Sequence, residues 1–92
     1  MNSLLIPFPL EKKDRRTLRK WGFCFSAKNS PIMMETTLPP NWTYEVEHFV
    51  ENQGYHQVTR FIFYDDKKRL KCTADHVDLR EDNFEFTRYK MN

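Results

Sequence analysis

Between residues 42 and 51 the chain alternates with a period of two. Trp42, Tyr44, Val46, His48 and Val50 fall on one side, Thr43, Glu45, Glu47 and Glu51 on the other, with Phe49 alone breaking the polar series. Only an extended backbone separates such a pattern into two faces, so this stretch predicts a strand with one apolar side and one acidic side turned to water. Asn52-Gln53-Gly54 then offers a turn. Residues 55–64 predict a second strand, whose Phe61-Ile62-Phe63-Tyr64 run is apolar on both faces, as in a central strand covered twice. Asp65-Asp66-Lys67-Lys68 is a polar reversal, and residues 69–74 alternate Leu70, Cys72 and Ala74 with Arg69, Lys71 and Thr73. The three segments predict a meander. Residues 75–82 read as a polar connection with Val77 and Leu79 available for packing, and residues 84–89 as a closing strand.

The material for a core is aromatic. Eight Phe, four Tyr and two Trp stand against two Gly and two Ala among 92 residues, a balance that favours strands over an all-helical fold. Before the strands, Pro7 and Pro9 fix φ and predict an extended arm over residues 1–9. Residues 10–21 predict the one helix, with Leu10, Leu18 and Trp21 sharing a face and Gly22 supplying a left-handed stop. Phe23-Cys24-Phe25 and residues 31–37 predict two strands returning antiparallel across residues 26–30. The expected fold is α+β in a single domain over residues 1–92: the arm, one N-terminal helix, and a β-rich body over residues 23–92 forming an antiparallel sheet of four to five strands. Trp42 is expected to plug the core.

Charge is unevenly distributed. Up to Met33, seven basic residues (Lys12, Lys13, Arg15, Arg16, Arg19, Lys20, Lys28) face only Glu11 and Asp14, a balance of +5. From Met34 to Thr59 every charge is acidic: Glu35, Glu45, Glu47 and Glu51. The whole chain carries only +2, far from a dedicated nucleic-acid binder, and the asymmetry is expected to set a basic helix beside an acidic strand. Lys12, Arg15, Arg16, Arg19 and Lys20 form the helix's basic face, and Lys67, Lys68, Arg69 and Lys71 a basic hairpin next to Arg60 and Tyr64. These nine cations, Lys12 through Lys20 and Lys67 through Lys71, are the candidate binding residues.

Chemistry beyond binding finds little support. Cys72-x-x-x-His76 has the spacing of half a zinc site, but a second half is missing, and Cys72 falls on the apolar side of its strand. Cys24 and Cys72 form no Cys-x-x-Cys unit and are expected to be reduced thiols of a cytoplasmic protein. Three His and several carboxylates accompany no Gly-rich loop, nucleophile elbow or paired-His motif, so no catalytic residue, metal or cofactor is expected. Residues 1–10 are apolar but lack a basic start, and no membrane segment is expected.

Leu38-Pro39-x-x-Trp42 followed by a meander resembles a WW domain. Cys72 and Thr73 stand where the second Trp of that family is expected, and the first loop is much longer, so its proline-clamp function is not carried over. A second likeness covers more of the chain. Arg16-x-Leu18-x-x-x-Gly22-Phe23-x-Phe25, then Thr37-Leu38-Pro39-x-Asn41-Trp42, then Phe61-Ile62-Phe63-Tyr64-Asp65-Asp66 resembles small uncharacterised proteins of phages and large viruses. Asn41 replaces their Gly, and Asp82-Asn83-Phe84 replaces a Tyr-Asp-Arg near their end. The resemblance implies a viral or mobile-element accessory protein acting in the cytoplasm. The expected function is non-catalytic binding of a protein partner, as monomer or homodimer, through the basic helix face or an exposed sheet edge; nucleic acid is the alternative partner.

Overall fold

The computed structural model describes residues 3–29 and 32–92, with the side chains of residues 27–29 left aside. Its elements are β1 (Ser3–Pro7), α1 (Lys12–Trp21), β2 (Cys24–Asn29), β3 (Met33–Thr37), β4 (Thr43–Glu51), β5 (His56–Tyr64), β6 (Leu70–Leu79) and β7 (Phe84–Met91), with a single 3₁₀ turn at Asn52–Gly54. The strands form two antiparallel sheets, a three-stranded one in the order β1-β3-β2 and a four-stranded meander in the order β4-β5-β6-β7. The α+β class and the expected antiparallel meander of four strands are present, and β1, β2 and β3 form a second, three-stranded sheet beside it.

Four boundaries differ from expectation. The arm pairs as β1, with Leu5 opposite Glu35 and Pro7 opposite Met33, because Ile6 has a core position to fill and is wholly buried. The helix begins at Lys12 rather than residue 10, leaving Leu10 buried on the approach to it. It ends as expected at Gly22, whose φ of 106° lets its N–H and that of Phe23 reach back to the Arg19 and Leu18 carbonyls. The segment after Ala74 is no connection: β6 continues to Leu79, opposing Asp75 to Arg60 and Val77 to Val58. In the β2–β3 pair, the expected turn begins later because β2 runs to Asn29, and Ser30 and Pro31 lie outside the described residues.

Register fixes what each face of the large sheet carries. Phe61, Phe63, Cys72, Ala74, Tyr89 and Met91 share one face and pack against Ile6, Leu10, Leu18, Phe23, Met34, Leu38 and Trp42. The small sheet and α1 therefore cover this face from β7 across to β5. Phe23 anchors the junction, its ring meeting those of Trp42 and Phe63 edge-on at 5.3 and 5.7 Å. Each large apolar side chain removed from water here contributes about 1.5–3 kcal/mol. Phe63 and Ile62 point to opposite faces and are both buried, so β5 is the doubly covered central strand that its apolar run predicts.

The cover stops short of β4. Trp42 is buried as the expected plug, but Tyr44, Val46 and Val50 on the apolar side of β4 are 44%, 42% and 60% exposed. The acidic side meets water as expected; the other side does so as well.

The second face of the large sheet is concave. Glu47, Arg60, Asp75 and Arg88 stand in register across the four strands. Arg88 on β7 reaches Glu51 on β4 at 2.8 Å. Glu47, not Glu51, is in register with Arg88. A flat sheet would set the Arg88 and Glu51 Cα atoms about 14 Å apart across the strands and about 13 Å along them, beyond the combined reach of the two side chains, so the bridge requires the sheet to twist and curl. Val58 and Val77 are buried in the hollow of the curl.

Candidate functional site

The helix forms because good helix formers carry a burial stripe. Leu18 is buried, and Asp14, one turn earlier, is drawn in with it. The polar side of the same helix then projects Lys12, Arg15, Arg16, Arg19 and Lys20 at spacings of three and four, the positions that share one helical face. These five cations line a single shallow groove of about 360 Å³ with no acidic residue in its walls. Arg15 is steadied by donating to the Leu10 carbonyl at 3.2 Å. Arg19 lies over the Phe25 ring, 5.4 Å from its centroid. Such stacking orients a guanidinium without neutralising it.

Lys71 extends the strip beyond the helix. Its ammonium stands 4.9 Å above the Trp21 ring, and Trp21 packs on Trp42 at 5.8 Å. The rest of the expected basic hairpin is less available. The Asp65 carboxylate accepts the Lys67 and Arg69 backbone N–H groups and the Arg69 Nε, all at 2.9 Å. The backbone N–H of Arg69 is foremost among the groups holding Asp65 below the usual carboxylate range. Arg69 is thus paired, whereas Lys67 and Lys68 remain exposed at the tip.

Two members of the expected nucleic-acid surface face elsewhere. Arg60 turns into the concave side and grips Asp75 with Nε and Nη2 at 2.8 and 2.9 Å. The Tyr64 hydroxyl donates to Glu45 at 2.8 Å, which ties the ring to the acidic strand. No ion pair among the described residues joins α1 to β4, so the expected attraction between helix and acidic strand is not made by direct contact.

Sequence reasoning missed the brace on the concave side. Asp75 is nearly inaccessible, with 2% of its surface exposed, and accepts from Arg60 and from the Arg88 Nε at 2.7 Å. Burial alone would raise its pKa, but the two guanidiniums outweigh it and hold the carboxyl below its ordinary value. Arg88 also donates to Glu51 at 2.8 Å and holds that carboxyl down too. A hollow of about 330 Å³, whose walls include Arg60, Thr73, Asp75, Arg88 and Lys90, opens beside this network. Both guanidiniums are engaged by carboxylates, which makes the arrangement a brace across β4, β5, β6 and β7. The signal that could have found it is the alignment of Arg60, Asp75 and Arg88 once β6 is carried past Ala74.

Other reactive groups are dispersed. Cys72 and His76 share one face of β6 four residues apart, about 13 Å along a strand, too far to bind one zinc ion at bonds of about 2 Å. No three His, Cys, Asp or Glu among the described residues are grouped so that they could hold a metal ion. Burial pushes the Cys72 thiol up to about 12, far from a nucleophilic thiolate. His48 meets Thr59 at 3.4 Å, and the buried His76 Nε2 lies 3.7 Å from Glu85 without a hydrogen bond. His56 shares a hollow of about 200 Å³ with Glu81 and Asp82, where no Ser, Thr or Cys joins it as a nucleophile. No helix among the described residues is long and apolar enough to cross a membrane.

Comparison with protein-family models, curated proteins and solved structures finds no match. The functional reading therefore rests on these surfaces.

Proposed function

We propose that this is a small non-catalytic binding protein that grips an acidic protein partner with the basic strip of α1. It would act in the cytoplasm as an accessory protein that a virus or mobile element directs at a host protein. The observation that carries the reading is the convergence of Lys12, Arg15, Arg16, Arg19 and Lys20 on one groove without an acid among them. Mutual repulsion on a short helix stabilises nothing within the chain, and an acidic partner relieves it.

Nucleic acid is the second reading, favoured by Lys71, which carries the positive strip past the end of the helix. A protein partner fits better for three reasons. The ten-residue helix offers only about 15 Å of cationic surface. Asp66 and the Arg69–Asp65 pair interrupt the strip at the hairpin. Arg60 and Tyr64 are withdrawn to the concave side.

Titration with an acidic peptide and with oligonucleotides of equal charge separates the two. The expected result is tighter binding of the peptide, lost in the triple variant R15E/R16E/R19E. Preference for the oligonucleotide, with an affinity falling with salt at a log–log slope near −4, about five phosphate contacts, would transfer the function to nucleic acid. Undiminished peptide binding by the triple variant would remove the helix from the site.

A further inference from the structure

We propose that β4 is a second docking site, which takes up an extended segment alternating basic and apolar residues as an added strand. In the strand order β4 stands at an edge, paired on one side with β5 through nine consecutive residues. Its other side offers nine residues of backbone, about 30 Å, to a partner. Natural edges of this length are commonly covered, bulged or studded with Lys. β4 pairs without a bulge and contains no Lys, Arg or Pro.

The side chains specify the occupant. Tyr44, Val46 and Val50 present exposed apolar surface on one face of the strand. Thr43, Glu45 and Glu47 present an acidic stretch on the other, ending at Glu51, which is bridged to Arg88, and the one cation in register beside Glu47, Arg60, is engaged by Asp75. An incoming strand places successive side chains on alternate faces, so a segment that alternates Lys or Arg with Val, Ile or Leu sets charge against Glu45 and Glu47 and apolar groups against Tyr44 and Val46.

A second copy of this chain fits poorly. Joining two β4 strands antiparallel with matched faces, so that the sheet continues, sets residues opposite each other at a constant sum. For every register that pairs five or more residues, two glutamates oppose each other: Glu45 with Glu45, Glu45 with Glu47, Glu47 with Glu47, Glu45 with Glu51, or Glu47 with Glu51. Like charges directly opposed across strands are destabilising. The acidic face therefore selects a foreign, basic strand and disfavours self-pairing.

The test uses three labelled heptapeptides: Lys and Val in strict alternation, the same residues in two blocks, and Glu and Val in alternation. Binding is read by anisotropy, and its location by hydrogen exchange of the β4 amides. The alternating Lys-Val peptide is expected to bind at least tenfold more tightly than the block control and, alone of the three, to slow exchange across residues 43–51 while β7 is unchanged. Glu47→Lys, at an exposed position, is expected to weaken that peptide at least tenfold and to admit the Glu-Val peptide at β4; in R15E/R16E/R19E the Lys-Val peptide should still protect residues 43–51 as in the unaltered chain. Equal binding of the block peptide, or protection confined to another strand, would overturn the proposal. So would β4 amides that become protected on concentrating the protein alone, since the occupant would then be a second copy. Because the helix variant leaves this readout untouched, failure here and failure of the helix site are separate results.

Discussion

The two edges of the large sheet, β4 and β7, look alike in sequence and differ in what lies over them. Each alternates apolar with charged residues, and each pairs with one neighbour. On β7 the Tyr89 hydroxyl donates to the Pro7 carbonyl, and the Thr87 hydroxyl to the Pro9 carbonyl at 2.6 Å. The stretch between β1 and α1 is thereby laid along that edge, and Pro9, Glu11, Lys13 and Asp14 wall a hollow with Thr87, Arg88 and Tyr89. Nothing among the described residues does the same for Tyr44, Val46 or Val50. Edge character is thus set by long-range cover, and alternation alone does not distinguish a finished edge from an open one.

The contrast is broken most severely at the ring that fixes the covered edge. Tyr89 is partly buried and packs against the main core, whereas Tyr44 is 44% exposed. Tyr89→Ala should cost about 2–4 kcal/mol, somewhat under a fully buried core aromatic truncation, and lower the melting temperature by more than about 8 °C. Tyr44→Ala should cost about 1 kcal/mol or less, since much of that ring is already in water. Thermal melts of the two variants measure the difference; equal losses would mean that β4 is as firmly covered as β7.

The brace is the next largest effect, because it joins the two edges through Asp75. Asp75→Asn withdraws a carboxylate that serves both Arg60 and Arg88. Breaking buried pairs costs about 3–5 kcal/mol, and partial exposure of the guanidiniums places the expected loss near 2–3 kcal/mol in urea melts. Glu51→Gln at the exposed end of the same network should cost clearly less than Asp75→Asn. The pH dependence follows the same ranking. Asp75, Glu51 and Asp65 have folded pKa values below their unfolded ones, so the stability they contribute is present above about pH 4 and is lost as pH falls through the folded values. Asp75→Asn should flatten that acid limb more than Glu51→Gln.

How much of this was legible in the chain depends on the range of the interaction concerned. The left-handed stop at Gly22, the plug at Trp42 and the doubly covered run at Ile62-Phe63 are local patterns, and the structure keeps all three. The basic face of α1 was equally legible, since helical spacing alone groups Lys12, Arg15, Arg16, Arg19 and Lys20. Division into two sheets was not, because alternation gives a strand its faces but not its neighbours. Asp75 and His76 read as polar connection because single-sequence patterns penalise charge in a strand; only register reveals that Arg60 and Arg88 flank Asp75. The exposure of Tyr44 and Val46 was hidden for the same reason, as apolar spacing states which way a side chain points and not whether anything arrives to cover it.

The smallest effect lies at Asp14, where α1 meets the covered edge. Desolvation raises its pKa in the folded protein, the nearby Lys13 charge lowers it in part, and Glu11 adds to the rise. A carboxyl with a raised folded pKa binds its proton more tightly in the folded state, so its contribution is present below the unfolded pKa and is lost as pH rises through the folded one. Asp14→Asn removes that loss. Its stability relative to the unaltered chain should therefore rise between pH 3 and pH 6, by less than about 1 kcal/mol. The opposing influence is the field of the helix N-terminus, which favours an ionised acid in the first turn and is worth about 0.3–1 kcal/mol. Paired urea melts across that pH range decide between them. An advantage that grows with pH means that the cover over β7 buries Asp14 at a cost. One that shrinks means that the helix end outweighs burial and that this part of the edge is wetter than its 9% exposure implies.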